Sequence, residues 1–215
     1  MSITILERRK ERMKEVISNR EYDLTVILEN VHDPHNIGAV LRTCDSVGIN
    51  EIYILFTDKR LSKKGLEVGV TSSSGSNQWI KVHYYQDVEA CFVAVKKKYG
   101  TIYGTAIGPT SKSLYEINLS QSCALLFGNE HQGITPEAMA YVDQNFLIPQ
   151  YGFVKSLNIS VACAVSLYEA LRQRDEGDGY GRSFGDQKYD HDLLNDFIAV
   201  HEQKKLNKIN NKKIF

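Results

Sequence analysis

Polar side chains with catalytic capacity occur at three places where a predicted strand is followed by a predicted helix. Residues 36–43 read Asn-Ile-Gly-Ala-Val-Leu-Arg-Thr, residues 128–133 read Gly-Asn-Glu-His-Gln-Gly, and Ser-Leu-Asn-Ile-Ser at 156–160 follows Ile148-Pro149. The carboxyl ends of parallel strands are the edge at which open α/β sheets bind ligands. A polar residue at one junction is typical of a helix cap, whereas an amide, a guanidinium and a carboxylate at three junctions predict one composite site.

The candidate catalytic side chains are those of Arg42, Asn36, Glu130, Ser156 and Asn158. Asn36 precedes Arg42 by an offset of roughly 120° on a helix, so the two do not share one face and Asn36 is expected to orient Arg42 or the substrate from the helix end. Glu130, in a turn between two glycines, is expected to hold Arg42 or Asn36. Ser156 is predicted to cap the last long helix, with Asn158 inside its first turn and in contact with substrate or with Arg42. Each candidate also has a purely structural alternative. These are a solvated side chain for Arg42, a helix-start hydrogen bond for Asn36, an exposed turn acid for Glu130 and a plain helix cap for Ser156.

The composition is that of an ordinary globular protein, but its charge is distributed unevenly. The 215 residues are 42% apolar and 24% charged, with zero net charge, which suits one full domain with appendages. Residues 1–20 hold six basic and three acidic side chains, and residues 201–215 hold five lysines and one glutamate, which leaves the body at −7. Basic ends predict terminal arms that meet a polyanion, although solvated ends that aid solubility are an equal alternative.

Neither a membrane segment nor a secretion signal is predicted. No apolar run reaches the ~18 residues of a membrane span, and residues 1–20 lack the apolar stretch of a signal peptide. The four cysteines show no Cys-x-x-Cys pairing and fall in apolar elements. They are therefore predicted to be buried thiols of a cytoplasmic protein, with a redox or metal role as the minor alternative.

Strand and helix patterns alternate along the chain. Short apolar runs predict strands at residues 24–28, 52–56, 80–84, 101–107, 123–127 and 146–148. Helical spacing and end signals predict helices at residues 4–19, 34–47, 87–98, 136–142 and 157–174. The alternation predicts an α/β fold with a parallel sheet and right-handed crossovers. Residues 57–79 predict a long polar loop with a functional role or high mobility.

Phosphate-binding signatures are absent from the sequence. No Gly-x-Gly-x-x-Gly follows a strand, and no Gly-x-x-x-x-Gly-Lys-Ser/Thr occurs. An α/β protein without a cradle for pyrophosphate suits a nucleotide-like cofactor that lacks phosphate, and S-adenosylmethionine is the common one. His32 and His35 suggest a metal site, but only Asp33 stands near them at ligand spacing, so no metal is expected.

The three segments resemble the motifs of the SpoU/TrmH branch of the knotted SPOUT RNA 2′-O-methyltransferases. The matching patterns are Asn-x-Gly-Ala-x-x-Arg-Thr, Gly-x-Glu-x-x-Gly and Ser-Leu-Asn-x-Ser, and the likeness spans residues 5–182. It implies a parallel sheet flanked by helices with a C-terminal trefoil knot, in a homodimer. The implied domains are a basic N-terminal helix (1–22), a SPOUT methyltransferase domain (23–176) and a C-terminal helical extension with a basic tail (177–215). His131-Gln132 departs from the usual second motif, and residues 183–215 match no known segment of the family.

The resemblance also implies the activity and the groups that serve it. The expected reaction is S-adenosylmethionine-dependent 2′-O-methylation of a tRNA ribose, with guanosine 18 of the D-loop as the expected target. The arginine that matches Arg42 is proposed in the family to activate the hydroxyl, sometimes as a general base. Because arginine stays protonated in proteins, Arg42 is expected instead to bind the neighbouring phosphate and stabilise the incipient alkoxide. The cofactor-binding residues carried over are Thr105, Gly128, Ile148 and Leu157. The candidate phosphate contacts to RNA are Arg8, Arg9, Arg12, Arg20, Arg172, Arg174 and Arg182.

Three alternative functions stay open on the sequence. A ribosomal RNA target would be favoured by a dedicated N-terminal RNA-binding domain, which is not expected here. A wobble-position tRNA enzyme would lack the basic N-terminal helix. A non-catalytic RNA-binding protein on a degenerate knot would not need the five candidate catalytic residues, all of which are present.

Overall fold

Short apolar runs build a parallel sheet in the computed structural model, which describes residues 5–57, 78–176 and 180–212. Its strands are β1 (Leu24–Glu29), β2 (Glu51–Leu55), β3 (Lys81–Tyr85), β4 (Thr101–Thr105), β5 (Lys112–Ser113), β6 (Cys123–Phe127) and β7 (Gln144–Leu147). They lie side by side in the order β3-β2-β1-β6-β4-β7-β5, and every pairing is parallel. Strands β1, β2 and β6 are buried at every position, as expected for apolar strands covered on both faces.

The helices begin and end close to their sequence signals. They are α1 (Ile5–Ser18), α2 (Pro34–Ser46), α3 (Val88–Lys96), α4 (Pro136–Met139), α5 (Ile159–Asp175) and α6 (Asp190–Lys212), with a short 3₁₀ helix at Leu114–Glu116. Asp33 caps α2 by accepting a hydrogen bond from the backbone N–H of His35, with Pro34 in the first turn. Asp87 caps α3 in the same way through the N–H of Ala90. The two-residue strand β5 is not among the elements that the sequence patterns predict, whereas α6 lies within the expected C-terminal helical extension.

Two apolar clusters cover the two faces of the sheet. Residues of β1 alternate between them: Leu28 joins the cluster formed with α2 and α5, and Ile27 joins the cluster formed with α3 and α4. This alternation follows from the two-residue period of side chains along a strand. The prediction of a parallel sheet flanked by helices is confirmed. The predicted loop at 57–79 lies almost wholly outside the described residues.

The chain divides into two compact units, residues 21–179 and the two termini together, 1–20 with 180–215. Within the terminal unit, Arg182 joins both carboxylate oxygens of the fully buried Asp190 at 2.7 and 2.9 Å. The same guanidinium donates to the carbonyl oxygen of Ile17 at 2.8 Å. The two ends that the sequence presents as separate extensions therefore form one unit. None of the described helices is long and apolar enough to cross a membrane.

The strand order brings the three polar segments to one edge. The carboxyl ends of β1 and β6 are neighbours, since Leu28 pairs with Phe127. In the sheet, β4 lies next to β6 on its other side, and β7 lies next to β4. The segments after β1, β6 and β7 contain residues 36–43, 128–133 and 148–160, so the sheet gathers all three at its carboxyl edge.

Candidate active site

Three polar side chains from the three segments meet at the carboxyl edge of the sheet. Asn36 lies in the first turn of α2, Glu130 lies in the turn after β6, and Asn158 immediately precedes α5. The side-chain amide of Asn36 donates to Glu130 Oε1 at 2.8 Å. Asn158 Nδ2 donates to the same oxygen at 3.2 Å and to Asn36 Oδ1 at 3.1 Å. Of the two side chains that Glu130 is expected to hold, Arg42 or Asn36, the structure places Asn36 in contact with it, and Asn158 closes the triangle.

Asn158, not Ser156, is the N-cap of α5. Its Oδ1 accepts from the backbone N–H of Ser160 at 2.9 Å and from Ser160 Oγ at 2.6 Å. The predicted cap at Ser156 is therefore wrong, and the helix starts two residues later than expected, at Ile159. Because the oxygen of Asn158 caps the helix, its amide group is directed to Glu130 and Asn36. Ser156 itself is exposed.

The turn that holds Glu130 is fixed by its own backbone. Asn129 and Gly133 exchange backbone hydrogen bonds of 3.0 and 2.8 Å, and Gly133 has a φ of 70°, which favours glycine. A Cβ on Gly128 would lie 2.2 Å from the carbonyl carbon of Gly133. Both glycines of the second motif are thus required for the chain to double back beside Glu130.

Arg42 lies on the same helix as Asn36, about 9 Å farther along its axis. It is exposed, and no hydrogen bond or ion pair holds it within the described part of the chain. The alternative in which Glu130 holds Arg42 is not observed there. An exposed guanidinium on the helix that carries Asn36 is available to bind a phosphate or a developing oxyanion.

Residues 23–168 match the SpoU rRNA Methylase family. The chain belongs to this family. It is 38% identical over 192 residues to a tRNA (guanosine(18)-2′-O)-methyltransferase of Thermus thermophilus, across 89% of this chain and 96% of that protein.

Solved structures of SpoU proteins have the same fold. The TrmH/SpoU tRNA modifying enzyme of Aquifex aeolicus aligns with a TM-score of 0.81 and 32% identity, over 93% of this chain and 98% of that chain. The SpoU methyltransferase AviRb from Streptomyces viridochromogenes, in complex with AdoMet, aligns with a TM-score of 0.61 and 27% identity, over 74% and 63% of the two chains. The family and these structures indicate S-adenosylmethionine as the cofactor.

The positions carried over from the SpoU family for the cofactor lie at the ends of three adjacent strands. Thr105 ends β4, Gly128 follows β6 and Ile148 follows β7, while Leu157 precedes the cap of α5. The hydroxyl of Thr105 already donates to the carbonyl oxygen of Leu126 at 3.2 Å, so toward the cofactor this hydroxyl is left with the role of an acceptor.

One buried acceptor beside these positions fits a ligand with donor groups. Gln150 follows Ile148-Pro149, and its Oε1 is buried without a hydrogen-bond partner among the described residues. A buried acceptor without a donor is costly, and the amino groups of S-adenosylmethionine are donors. The residues present are therefore compatible with this cofactor.

Three of the arginines predicted to contact RNA are instead engaged within the protein. Arg174 is 4% exposed and binds Glu21, Asp23 and the carbonyl oxygens of Leu119 and Gln121. Arg20 is 3% exposed and lies over the ring of Phe197. Arg182 forms the buried pair with Asp190 described above. The prediction that these three arginines bind phosphates is corrected, because their charges are already paired or covered.

The other predicted RNA contacts remain accessible. Arg8, Arg9 and Arg12 are exposed on α1, where Arg12 pairs with Glu15 at 2.7 Å. Arg172 is about half exposed and pairs with Glu169 and Glu176. It lies roughly 21 Å along α5 from Asn158 at 1.5 Å per residue, so it does not flank the Asn–Glu–Asn triangle. No metal site is formed by His, Cys, Asp or Glu in the described ranges.

Two buried polar residues beside the site are not among the candidates that the sequence motifs indicate. Glu29 ends β1 and Asn30 follows it, at 0% and 8% exposure. The signal in the sequence is an acid and an amide that come directly after the apolar run of residues 24–28. Polar residues at that place are usually solvated, and only the structure places them in contact with the segment after β6.

Proposed function

We propose that this protein uses S-adenosylmethionine to methylate the 2′-hydroxyl of a tRNA ribose, with guanosine 18 as its target. The observation that carries the proposal is the triangle of Asn36, Glu130 and Asn158, which unites the three motif segments at the carboxyl edge of the sheet. Arg42 supplies the cation on the helix that carries Asn36. No phosphate-binding loop accompanies these groups in the sequence.

Methyl transfer to a ribose hydroxyl is an in-line displacement in which the attacking oxygen gives up its proton to solvent near the transition state, and negative charge develops on that oxygen as the proton leaves. The bound cofactor supplies the electrophilic methyl group. The residues of this chain align the ribose and stabilise that charge. Arg42 binds the phosphate next to the reacting ribose and stabilises the incipient alkoxide, since a guanidinium is a poor base at neutral pH. Glu130 fixes the amides of Asn36 and Asn158, which orient the ribose.

The tRNA target is supported by likeness to enzymes of nearly the same length. The Thermus thermophilus relative is covered over 96% of its length and is named for guanosine 18 of tRNA. Arg8, Arg9 and Arg12 provide exposed positive charge for RNA phosphates. A ribosomal RNA target is the second candidate, because the matching family is named the SpoU rRNA Methylase family.

A trefoil knot and a homodimer are part of the proposal. The knot would involve residues 148–158, the segment between β7 and α5 that carries two of the cofactor positions. The dimer is supported by large exposed apolar side chains, namely Tyr151, Phe153, Val161 and Tyr168. Exposed apolar groups of this size are typical of protein interfaces. Light scattering on the purified protein tests the dimer, which predicts twice the 24.4 kDa mass of the chain.

Cytoplasmic placement and independence from metal complete the proposal. The structure describes all four cysteines, each of them buried, and no disulfide joins them. Burial raises the pKa of Cys91 to about 12 and that of Cys123 to about 11, so these thiols stay protonated and unreactive. Calorimetric binding of S-adenosylmethionine is expected to be the same with and without EDTA. No binding under either condition would contradict the proposal.

The deciding experiment incubates the purified protein with labelled S-adenosylmethionine and either unmodified tRNA or ribosomal RNA. Label is expected in tRNA, and mapping of 2′-O-methyl groups is expected to place it at guanosine 18. Label at a wobble nucleotide or in ribosomal RNA would select one of the alternatives. No transfer to any RNA, with cofactor bound, would indicate a non-catalytic RNA-binding protein.

A further inference from the structure

The last residue of β1 reaches the far end of the turn that holds Glu130. The carboxylate of Glu29 accepts from the backbone N–H of Thr135 at 2.9 Å and from Thr135 Oγ1 at 2.5 Å. Thr135 is itself the N-cap of α4, since its hydroxyl accepts from the N–H of Ala138 at 3.2 Å. Glu29 therefore fixes the point at which the turn becomes a helix.

The next residue along the chain reaches the near end of the same turn. Asn30 has a φ of 52°, a left-handed conformation that asparagine tolerates better than most residues. Its carbonyl oxygen accepts from Asn129 Nδ2 at 2.8 Å. Asn129 Oδ1 accepts in turn from the backbone N–H groups of His131 and Gln132 at 2.8 and 3.2 Å. The side chain of Asn129 thus links the start of the turn to β1.

The left-handed conformation of Asn30 is held by a neighbouring strand. Its Oδ1 accepts from the backbone N–H of Thr57 at 2.9 Å, and its Nδ2 donates to Thr57 Oγ1 at 2.7 Å. Its backbone N–H donates to the carbonyl oxygen of Leu55 at 2.9 Å. Asn30 is therefore attached to the end of β2 as well as to the turn.

We propose that Glu29 and Asn30 are positioning residues that clamp the two ends of the 129–135 turn and so hold Glu130 against Asn36. Two consecutive residues of one strand end bind both ends of the turn, and Glu130 lies between the attachment points. The inference rests on the proposed function for its effect on turnover. Neither residue contacts the substrate in this proposal, and both act through Glu130.

The test compares two buried glutamates at opposite edges of the sheet. Glu29→Gln keeps the size of the side chain but replaces one acceptor oxygen with a donor that faces Thr135. It is expected to lower kcat about tenfold to a hundredfold, the range for a small displacement of an aligned group. KM for tRNA and for the cofactor is expected to stay near wild type, because distant phosphate contacts dominate RNA affinity.

Glu51→Gln is the matched control. Glu51 begins β2 at the amino edge and accepts hydrogen bonds from His83, Lys98 and Tyr99. Its replacement is expected to lower the urea midpoint while kcat stays near wild type. A wild-type kcat in Glu29→Gln would overturn the inference. So would a loss of kcat in Glu29→Gln that Glu51→Gln reproduces at comparable stability.

A second measurement does not depend on catalysis. The side-chain amide resonances of Asn36 and Asn158 report hydrogen bonding to Glu130 in ¹⁵N NMR spectra. Both are expected to shift in Glu29→Gln and in Thr135→Val, and to keep their wild-type positions in Thr135→Ser, which retains the hydroxyl. Unchanged resonances in Glu29→Gln would overturn the clamp. A wild-type protein that transfers no methyl group would overturn the proposed function alone, because the resonances still test the clamp.

Discussion

Asn158 donates its side-chain amide to the side-chain oxygen of Asn36, 122 positions earlier in the chain, across 3.1 Å. Both amides also donate to one oxygen of Glu130, and the backbone N–H of Ile159 approaches the same atom at 3.5 Å. One carboxylate oxygen thus accepts from two helix starts. Such convergence explains why a carboxylate, rather than a donor, occupies position 130.

Removal of this acceptor is expected to affect both stability and turnover. Asn36 is 8% exposed, so Glu130→Ala leaves its amide buried without an acceptor, at a cost of about 1–3 kcal/mol. Glu130→Gln can still present an oxygen to the same donors and should retain most of the stability. Urea denaturation and kcat are measured for both variants. Equal urea midpoints for Glu130→Ala and wild type would contradict this account of the triangle.

Arg42 is expected to serve turnover without serving the fold. Arg42→Ala removes an exposed side chain, and surface changes of this kind stay within about 0.5 kcal/mol. Methylation should be abolished, while cofactor binding by calorimetry stays near wild type. Arg42→Lys should recover little, because lysine lacks the planar fork that addresses phosphate and hydroxyl together. A lysine variant with a near-normal rate would show that a point charge is sufficient.

The fold can be predicted further than the site. Apolar runs locate the central strands because strands buried on both faces have a distinctive composition. The sequence predicts that Glu130 holds Arg42 or Asn36, and the structure shows its hydrogen bond with Asn36. The cap of α5 is harder to assign, because serine and asparagine are both good caps. Only the three-dimensional contacts distinguish Asn158 from Ser156.

Burial of charged residues is the least predictable feature. Arg174 stands near the end of α5, where a basic residue is usually solvated and favourable to the helix dipole. The structure buries it among two acids and two carbonyl oxygens that lie more than 50 positions earlier in the chain. No local pattern encodes partners at that separation. For the same reason, the sequence does not predict the contact between Glu29 and Thr135, which lie 106 positions apart.

The amino edge of the sheet is expected to respond to acid. Burial alone would raise the pKa of Glu51, but hydrogen bonds from His83, Lys98 and Tyr99 hold it well below the usual 4.5. The ionised carboxylate therefore contributes stability above pH 4.5 that is lost as the pH falls below it. The difference in urea midpoint between wild type and Glu51→Gln should be constant near neutrality and shrink in acid. A difference that persists at low pH would contradict this.

The contribution of Glu29 to stability is expected to change with pH in the direction opposite to that of Glu51. Burial is the largest influence on its pKa and raises it, although hydrogen bonds from Thr135 oppose the rise. Its contribution to stability is therefore greatest at low pH and declines as the pH rises through the raised pKa. Glu29→Gln should accordingly cost less stability at neutral pH than Glu51→Gln. Urea midpoints of the two variants at neutral pH provide the comparison, and the reverse order would contradict it.

Arg174 is expected to act in stability rather than in RNA binding. Arg174→Ala leaves Glu21 buried without its cation, and removal of one partner from a buried pair costs about 3–5 kcal/mol. Arg172→Ala is the matched control, since Arg172 lies two residues earlier on α5 and is about half exposed. The urea midpoint is expected to fall strongly in Arg174→Ala and slightly in Arg172→Ala.

At a temperature where both variants are folded, the salt dependence of tRNA affinity should be unchanged in Arg174→Ala, because a paired and buried guanidinium releases no counterions from RNA. A shallower salt dependence in Arg174→Ala, with an unchanged urea midpoint, would contradict this prediction and would indicate that Arg174 contacts RNA.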